Sequence, residues 1–378
     1  MKRREFLSKA AMAAALAPPS LLAQGRQSSA SASQARVRVG LIGAGANTRT
    51  VQIPGFQRIP ECEIVAVANR SLQSSQRVAD EFGIPRAYAS WEELLQDDGV
   101  DAVLIGTWPY MHRSITLAAL ESGKHVLCQA RMANNAAEAH EMLAASRRHP
   151  DLVCQLVPTS GSYVIDRALQ RLLADAYVGE LLSVEIQRVQ RGFANFEGEL
   201  DWRHDREFSG INTLNLGGTY ESTLRWFGAG NRVMAMTKIH VPFRRDAAGE
   251  RRPVSIPDHV DVLYELDNGA QVHMKFSETS GLSNGNDTWL FGSEGTIHVD
   301  GGQNIFIGRR GDTELAPLPN PPEQQAHYRV EEEFINAIRG LEEVSMATFE
   351  TGVQYMEWTE AVHRSAASGS AVNLPLAI

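Results

Sequence analysis

Cysteine is scarce in this sequence, which has only three among 378 residues. Cys62, Cys128 and Cys154 are odd in number and unevenly spaced, which excludes a fully paired disulfide framework and does not match the ligand spacing of a zinc site. All three fall in apolar or strand-like stretches of the first half of the chain. We therefore expect buried, free thiols and no metal site.

Basic residues are in the minority. The chain has 36 lysines and arginines against 45 aspartates and glutamates, for a formal net charge of −9. A protein that follows nucleic-acid phosphates needs a basic surface, so this balance argues against a nucleic-acid partner and favours a small molecule. Hydrophobic residues make up 43% of the chain and charged residues 21%, as in ordinary globular proteins, and the length suits two domains.

The N-terminus lacks an apolar run of the roughly 20 residues that span a bilayer. It begins with a basic segment that contains Arg3 and Arg4, followed by a short apolar run over 10–17. This pattern is typical of a cleavable secretory signal, and the arginine pair indicates the twin-arginine route for folded proteins. We predict a signal peptide and unstructured tether over 1–35, the twin-arginine export machinery as a partner, a periplasmic or secreted location, and no membrane anchor after cleavage.

A glycine-rich turn follows a short β-rich run over 37–42. A strand, a glycine turn and a helix N-terminus in that order present backbone N–H groups and a positive dipole end to a pyrophosphate. Thr48 stands where the fingerprint has its third glycine, which predicts looser packing of the helix on the strand. The cofactor-binding candidates in this segment are Gly43, Gly45, Ala46 and Asn47.

The end of the second predicted strand, 63–69, favours one dinucleotide over the other. It lies about 24 residues after Gly45, where the side chain that contacts the adenosine ribose is expected. An acidic residue there would repel a 2′-phosphate, but the chain has Asn69, Arg70 and Ser71, whose guanidinium and hydroxyl favour it. We predict NADP as the cofactor, with NAD as the alternative. A solvated strand-end role for Arg70 is the competing interpretation.

Strands and helices alternate up to residue 157, which predicts an α/β domain with a Rossmann-type, doubly wound parallel sheet. The predicted strands are 37–42, 63–69, 101–106, 125–128 and 152–157. The predicted helices are 74–82, one beginning at 90–95, 112–122 and 136–148.

Four segments are similar to those of a known family. They are 103–112 and 118–128 in the predicted parallel sheet, and 334–340 and 348–365 near the C-terminus. On these segments the chain resembles the Gfo/Idh/MocA family, named for glucose–fructose oxidoreductase and inositol dehydrogenase. The resemblance implies hydride transfer between NAD(P) and a carbon of a sugar, polyol or related substrate, and a homo-oligomer, either a dimer or a tetramer.

The resemblance also implies two domains. An NAD(P)-binding Rossmann domain would cover 36–157, and an α+β domain with an open, predominantly antiparallel sheet would cover 158–378. This second domain would bind substrate and provide the contacts of the oligomer. Its closing helix, over 348–367, would pack back against the preceding part of the protein. The sequence agrees, because an Asp-Asn-Gly turn at 267–269 is typical of a hairpin between strands. The predicted strands of this domain are 181–191, 233–241, 260–266, 270–278, 289–292 and 296–299.

Two loops would lie beside the nicotinamide, according to the resemblance. Thr107, Trp108 and His112 belong to the first, in which Trp108 would stack against the ring. His112 would position the nicotinamide or substrate, or else have a purely structural role. Gln129 belongs to the second loop and is a further cofactor-binding candidate.

The chain departs from the family at both of its usual proton-handling positions. Family members carry Glu-Lys-Pro where this chain has Gln129, Ala130 and Arg131. Arg131 stays protonated, so it could orient a substrate or stabilise an oxyanion but is a poor base. The family's Asp-x-Gly-x-His motif corresponds to the segment from Asn215 to Thr219, in which threonine replaces the histidine.

Oxidation of an alcohol needs a base near its hydroxyl. His204 titrates in the right range without help. Tyr220 could act if a cation such as Arg131 lowered its pKa, and Glu221 could act if burial raised its pKa. Each of these three catalytic candidates could instead be a hydrogen-bonded structural residue. The substrate-binding candidates are Arg131, Arg203, Asn215 and Thr219.

Three functions are compatible with this sequence. The first is an exported oxidoreductase that transfers hydride between NAD(P) and a sugar-like substrate. The second is a redox-neutral glycosidase, lyase or epimerase. The third is a non-catalytic carbohydrate-binding member of the fold. Either enzyme would hold its cofactor tightly, because the periplasm offers no obvious pool of free nicotinamide nucleotide.

Overall fold

The computed structural model describes residues 36–159 and 162–377. The predicted signal peptide and tether over 1–35 lie outside this part of the chain. Within it, no helix is long and apolar enough to cross a membrane.

The first half of the described chain forms a six-stranded parallel sheet. Its strands are β1 (Val37–Ile42), β2 (Cys62–Ala68), β3 (Arg86–Tyr88), β4 (Ala102–Ile105), β5 (His125–Cys128) and β6 (Cys154–Leu156). They lie in the order β3-β2-β1-β4-β5-β6, which is the order of dinucleotide-binding sheets. All residues of β4 are buried, as expected for a strand covered on both faces. The predicted doubly wound parallel sheet is confirmed.

Helices pack on this sheet, whose two faces contribute to separate hydrophobic cores. They are α1 (a π-helical stretch, Thr48–Gln52, continued by Ile53–Gln57), α2 (Leu72–Phe82), α3 (Trp91–Leu95), α4 (Pro109–Glu121) and α5 (Ala136–Arg148). Ser71, Ser90 and Asn135 cap three of them through side-chain oxygens. Helix α4 begins before the predicted start at His112, because proline is well suited to the first helical position.

The expected loose packing at Thr48 is wrong. Thr48 is buried, and its hydroxyl donates to the carbonyl oxygen of Gly43 at 3.3 Å. The space comes from Gly106 at the end of β4, where an added Cβ would lie 2.3 Å from both Thr48 Oγ1 and Gly43 O. The helix therefore stays close to the strand because a glycine stands opposite the threonine rather than in its place.

A mixed, mostly antiparallel sheet of nine strands forms the second half of the chain. The strands of this half are β7 (Leu181–Val189), β8 (Gly230–Lys238), β9 (Phe243–Arg245), β10 (Arg251–Pro253), β11 (His259–Leu266), β12 (Gln271–Ser277), β13 (Asp287–Gly292), β14 (Gly295–Val299), β15 (Ile305–Arg309), β16 (Ala316–Leu318) and β17 (Val372–Asn373). The sheet order is β16-β15-β14-β13-β7-β12-β11-β8-β17, and β9 and β10 form a separate ribbon. Only the pair β7–β12 is parallel within the sheet. The predicted open, predominantly antiparallel sheet is confirmed, as is the hairpin turn, in which Gly269 has φ +85°.

Five helices accompany this sheet in the described chain. They are α6 (Tyr163–Ala174), α7 (Arg206–Ser209), α8 (Leu216–Phe227), α9 (Val330–Ile338) and α10 (Phe349–Ser368), with short 3-10 turns at Trp202–His204 and Pro322–Gln324. Helix α10 packs on β8 and also contacts α5. Its Tyr355 hydroxyl accepts the backbone N–H of Met132 at 2.6 Å, so the last helix holds the loop that follows β5.

The three cysteines are free, as expected. Cys62 and Cys128 are buried, and Cys154 is partly buried. Burial raises the pKa of the Cys62 and Cys154 thiols to about 12, so both are protonated at neutral pH.

Candidate active site

The conformation of the glycine turn after β1 is fixed by contacts with the ends of β2 and β4. Gly43 has φ +85°, a conformation that favours glycine, and an added Cβ would lie 2.9 Å from the backbone of Gly106 and Thr107. Its N–H donates to the carbonyl oxygen of Ala68 at 2.8 Å. Gly45, by contrast, has open space where a Cβ would stand. The backbone at Gly45 is therefore accessible to a ligand beside the first turn of the following helix.

A groove of about 660 Å³ runs along the carboxyl ends of β1, β2 and β4. Several predicted cofactor residues line it, namely Gly43, Gly45, Asn69, Arg70, Thr107 and Trp108. The hydroxyl oxygen of Thr107 is buried there and has no hydrogen-bond partner among the described residues. An open groove with an orphaned polar atom and an exposed glycine backbone fits a dinucleotide.

Asn69 fastens the glycine turn to the end of β2. Its Oδ1 accepts the N–H of Ala44 at 2.8 Å, and its Nδ2 donates to the carbonyl oxygen of Ser74 at 3.2 Å. Ser71 caps α2 by accepting the N–H of Ser74, so its hydroxyl is used within the protein. Ser71 is therefore a helix cap, and its contact with the cofactor stays a prediction.

The charges along the groove are mostly positive. Arg70 and Arg77 are exposed, and Arg49, which is ion-paired with Glu81, also lines the groove. Glu92 is the one carboxylate among the described lining residues. Arg49 and Arg77 were not predicted from the sequence as groove residues, because they lie at helix positions outside any motif.

Ala46 and Asn47 form the first helical residues after the glycine turn. The Asn47 side chain points to the loop after β5, where its Nδ2 donates to Gln129 Oε1 at 3.1 Å. Gln129 in turn donates from Nε2 to Gln52 Oε1 at 2.7 Å. Both ends of the Gln129 amide are thus occupied, and the residue joins α1 to the second loop instead of reaching into the groove.

His112 is fully buried and cannot contact a ligand. Its Nδ1 lies 3.0 Å from the carbonyl oxygen of Arg131, and its Nε2 lies 3.0 Å from that of Thr107. Burial lowers the pKa of His112, while the carbonyl oxygens around the ring act in the opposite direction, and a neutral ring donates to only one of them. The predicted contact with nicotinamide or substrate is corrected to a structural role, in which His112 holds the two loops together.

Trp108 connects the groove to the second half of the chain. It is 41% exposed and stacks on Trp202, with ring centroids 5.8 Å apart and an interplanar angle of 18°. Phe208 contacts the edge of Trp108 at 5.2 Å, and Tyr110 contacts Phe208 at 5.7 Å. The ring predicted to stack on nicotinamide therefore already has an aromatic partner on the loop before α7.

A small cavity of about 30 Å³ lies beside this aromatic cluster. Arg131, Arg203 and His204, all predicted from the sequence, line it. Residues that the sequence did not reveal line it as well, among them Ser209, Asn212, Arg244, Asp258 and Glu278. They come from four separate segments, so no local pattern could have identified them together.

His204 lines the cavity, but its geometry does not suit a base. Its Nδ1 accepts the backbone N–H of Asp201 at 2.9 Å, so in the neutral ring Nε2 carries the hydrogen. Burial, together with nearby Arg244, lowers the pKa of His204. The residue is thus a hydrogen-bond donor at neutral pH.

Tyr220 is corrected from a catalytic candidate to a core residue. It is 1% exposed, its ring stacks on Trp358 at 4.5 Å, and its hydroxyl accepts the N–H of Gly230 at 2.9 Å. Burial raises the pKa of Tyr220 to about 12, the opposite of what a base needs.

Glu221 is likewise corrected from a catalytic candidate to a buried structural residue. It is 1% exposed and forms an ion pair with Arg225 at 2.6 Å. Its carboxylate also accepts the N–H of Thr159 at 3.0 Å. Burial does raise the pKa of Glu221, as the sequence argument required, but the carboxylate is enclosed within α8 and its neighbours.

Asn215 and Thr219 lie one helical turn apart at the start of α8. Asn215 Nδ2 donates to Thr219 Oγ1 at 3.3 Å. The neighbouring Gly217 faces Arg131, whose Cδ would lie 3.2 Å from an added Cβ. The start of α8 therefore borders the Arg131 side chain, although neither Asn215 nor Thr219 lines the small cavity.

Two family models match this chain. One is described as "Oxidoreductase family, NAD-binding Rossmann fold" and matches 37–156, and the other as "GFO/IDH/MocA C-terminal domain" and matches 167–298. Together they cover about two thirds of the sequence. The chain belongs to the Gfo/Idh/MocA family. It is an NAD(P)-binding oxidoreductase of that type, which confirms the resemblance in the sequence.

Similar proteins include two mammalian enzymes. Trans-1,2-dihydrobenzene-1,2-diol dehydrogenase of Sus scrofa is 29% identical over 279 residues, covering 71% of this chain and 76% of the relative. The Bos taurus enzyme of the same name is 28% identical over 294 residues, covering 77% and 82%. A solved structure of levoglucosan dehydrogenase in complex with NADH and L-sorbose has a TM-score of 0.78, is 20% identical and covers 90% of this chain and 99% of its own. At that identity, the structural match shows the shared fold.

Proposed function

We propose that this family member transfers hydride between NADP and a carbon of a sugar, polyol or sugar-derived substrate. The observation that carries the proposal is the arginine-lined cavity, whose Arg203 lies over Trp202, the ring that stacks on Trp108 of the dinucleotide groove. A nicotinamide bound in the groove would supply or accept the hydride. The names of the similar proteins, two diol dehydrogenases and a levoglucosan dehydrogenase, support a polyhydroxylated substrate.

The preference for NADP rests on charge at the end of β2. Arg70 and Arg77 are exposed beside Asn69, where an acidic residue would bind the ribose of NAD. A guanidinium pairs well with a phosphate because its N–H groups match the phosphate oxygens. NAD is the alternative cofactor.

Glu278 is the residue that we propose as the proton acceptor. It lines the cavity, and burial raises the pKa of its carboxyl, while Arg244 at 3.6 Å favours the ionised form. A carboxyl with a raised pKa in a cleft is a typical acid–base group. Asp258, the other carboxylate of the cavity, instead accepts the backbone N–H groups of His240 and Val241.

Purified protein tests the proposed function. We expect NADPH to bind more tightly than NADH in a fluorescence titration, and absorbance at 340 nm to change when a suitable sugar is added. Product without net NADPH would indicate the redox-neutral alternative. Failure of both nucleotides to bind would contradict the proposal and leave the non-catalytic, carbohydrate-binding alternative.

The acid–base assignment has its own test. Glu278→Gln should lower kcat by about 100-fold or more while nucleotide affinity is unchanged, because the amide cannot take a proton. The activity of the unaltered protein should decline toward low pH as Glu278 becomes protonated. A Glu278→Gln variant with full kcat would contradict the assignment.

We also propose export of the folded protein, on the evidence of Arg3, Arg4 and the apolar run that follows. Residues 1–35 fused to a reporter should deliver it to the periplasm only when the twin-arginine machinery is present, and Arg3→Lys with Arg4→Lys should abolish delivery. The predicted homo-oligomer is likewise a proposal, which the mass of the protein in solution tests.

A further inference from the structure

Trp108 lines the dinucleotide groove, but its ring packs against residues from the second half of the chain. It is 41% exposed and follows Thr107, whose hydroxyl has no hydrogen-bond partner among the described residues. The Trp202 ring stacks on Trp108 with centroids 5.8 Å apart and an interplanar angle of 18°, and the Phe208 ring contacts its edge at 5.2 Å. Two segments that are distant in the sequence therefore hold this part of the groove wall together.

Trp202 is itself fixed by the short turn to which it belongs. The turn begins at Asp201, whose carboxylate accepts the backbone N–H of Arg203 at 2.8 Å. The guanidinium carbon of Arg203 lies 4.3 Å from the centre of the Trp202 ring, which is a cation–π contact. The carbonyl oxygen of His204 accepts the N–H of Ser255 at 3.0 Å, which ties the turn to the loop after β10. Trp202 is thus a fixed surface against which Trp108 packs.

The same segment is also attached to the loop after β5. The N–H of Ile211 donates to the carbonyl oxygen of Asn134 at 2.8 Å. Gly210, with φ +63°, approaches Asn134 so closely that an added Cβ would lie 2.2 Å from its carbonyl oxygen. The segment 201–211 therefore contacts the first half of the chain at Asn134 as well as at Trp108, and moving it away from Trp108 would disturb both contacts.

A fixed ring is useful to a binding site for a simple reason. An exposed tryptophan without a packing partner samples several rotamers, and ordering it on binding lowers the affinity for the ligand. A partner that has already fixed the rotamer removes this cost. One aromatic pair corresponds to about three- to tenfold in an equilibrium constant.

We propose that Trp202 is a positioning residue for the nucleotide. It acts through Trp108, because the stacked pair holds the Trp108 ring in one orientation at the groove and so increases nucleotide affinity. The inference rests on the proposed function, since it takes the groove as the nucleotide site. No motif in the sequence indicates this role, because Trp202 lies outside the parallel sheet and meets Trp108 only in the folded protein.

Calorimetric titration with NADPH and NADH tests the proposal without depending on tryptophan fluorescence. Trp202→Ala should raise the Kd for NADPH about three- to tenfold. The Kd for NADH should rise by the same factor, because the two nucleotides differ only in the 2′-phosphate, for which we propose Arg70. Trp202→Phe keeps an aromatic ring and should recover most of the affinity.

A double-mutant cycle separates positioning from a general loss of structure. Trp108→Ala should weaken binding at least as much as Trp202→Ala does. Adding Trp202→Ala to Trp108→Ala should change the Kd no further, because the ring that Trp202 positions is gone. Thermal unfolding shows whether each variant is folded, and Trp202→Leu, which fills more of the space, takes the place of an unfolded Trp202→Ala.

Phe196→Ala is the matched control. Phe196 is 59% exposed on the same connection after β7 and has no ring contact in the described part of the chain. The substitution should leave both Kd values unchanged.

An unchanged Kd in Trp202→Ala, in a protein that binds NADPH, would overturn the positioning role and leave the proposed function intact. Equal weakening by Trp202→Ala with and without Trp108 would also contradict the role, because Trp202 would then act by another route. If the expected changes in Kd are found but no sugar or polyol exchanges hydride with the nucleotide, the proposed function fails and the positioning role stands. An unaltered protein that binds neither nucleotide would contradict both.

Discussion

The Asn69 side chain is hydrogen-bonded within the protein, so binding of the adenosine phosphate would fall to the neighbouring Arg70. Its amide is fully used in holding the glycine turn to β2, with Oδ1 on Ala44 and Nδ2 on Ser74. Arg70, which is exposed and lines the same groove, is the side chain that we propose to contact the 2′-phosphate of NADP.

Replacing Arg70 with alanine should change the choice of cofactor. We expect the Kd for NADPH to rise about tenfold, as for loss of one charged hydrogen bond, and the Kd for NADH to change less than about threefold. Fluorescence titration of both nucleotides measures this. Arg167→Ala is the control, and an equal rise in both Kd values would show that Arg70 does not contact the 2′-phosphate.

Glu331 is a buried carboxyl whose ionisation destabilises the fold. It is 5% exposed in the first turn of α9, and its Oε1 has no partner in the described structure. Burial raises the pKa of Glu331 from 4.5 to about 7, although Arg58 acts in the opposite direction. Between these two pH values the folded state binds more protons than the unfolded state. Its contribution to stability therefore falls as pH rises from about 4.5 to 7 and is constant above that.

Glu331→Gln should accordingly raise the Tm at pH 8 and have little effect at pH 5. The gain at pH 8 is at most on the order of 3 kcal/mol, because a pKa difference of one unit corresponds to about 1.4 kcal/mol. Thermal unfolding across pH 4–9 measures it. Glu343→Gln, an exposed carboxyl, should show no such pH dependence. A constant difference in Tm for Glu331→Gln would indicate that the carboxyl ionises normally.

At the scale of secondary-structure elements, the contact between β4 and the glycine turn depends on one residue, Gly106. The helix after the turn carries Thr48 rather than glycine, yet it stays packed because Gly106 leaves room for the threonine hydroxyl. The standard fingerprint places the small residue on the helix, whereas this chain places it on the neighbouring strand.

Gly106→Ala should therefore weaken nucleotide binding. The new methyl group would lie 2.3 Å from Gly43 O, a backbone atom that cannot move without distorting the turn. We expect at least tenfold weaker NADPH binding and a loss of about 1–3 kcal/mol of stability from overpacking. Gly192→Ala, where an added Cβ meets nothing within 4 Å, is the matched control. Normal NADPH binding by Gly106→Ala would show that the turn tolerates displacement.

At the scale of the whole molecule, α10 joins the two sheets. It packs on β8, and its Tyr355 hydroxyl accepts the N–H of Met132, just after Arg131. Glu360 of the same helix accepts the N–H of Ala136 at 2.9 Å. One hydrophobic core contains residues of both sheets, so we expect residues 36–377 to unfold in one cooperative transition.

Tyr355→Phe tests this connection. The substitution removes the acceptor of a buried N–H, which should cost about 1–3 kcal/mol and lower the Tm of the single transition. The control is Tyr177→Phe, since Tyr177 is only partly buried and its ring contacts Arg309 without a hydroxyl hydrogen bond in the described structure. Two separate transitions in Tyr355→Phe would mean that the halves unfold independently, and an unchanged Tm would mean that the hydrogen bond adds nothing.

The local features of the chain were predictable from the sequence. The glycine turn, the parallel strands and the Asp-Asn-Gly hairpin depend on near neighbours and on hydrophobic periodicity, and the structure has all of them. The second sheet was predicted from the resemblance to the family. These features are set by residues that lie close together in the chain, where spacing alone constrains geometry.

Only the tertiary structure decided which side chains face the cleft. Tyr220 and Glu221 are adjacent in sequence to the expected site, but the rotation of α8 directs both into the core. Arg131, Arg244 and Glu278 line one cavity because the loop after β5 lies near the β9–β10 ribbon and the end of β12. The cavity joins residues more than a hundred positions apart, and their contact is fixed by the packing of two sheets, which no local pattern in the sequence encodes.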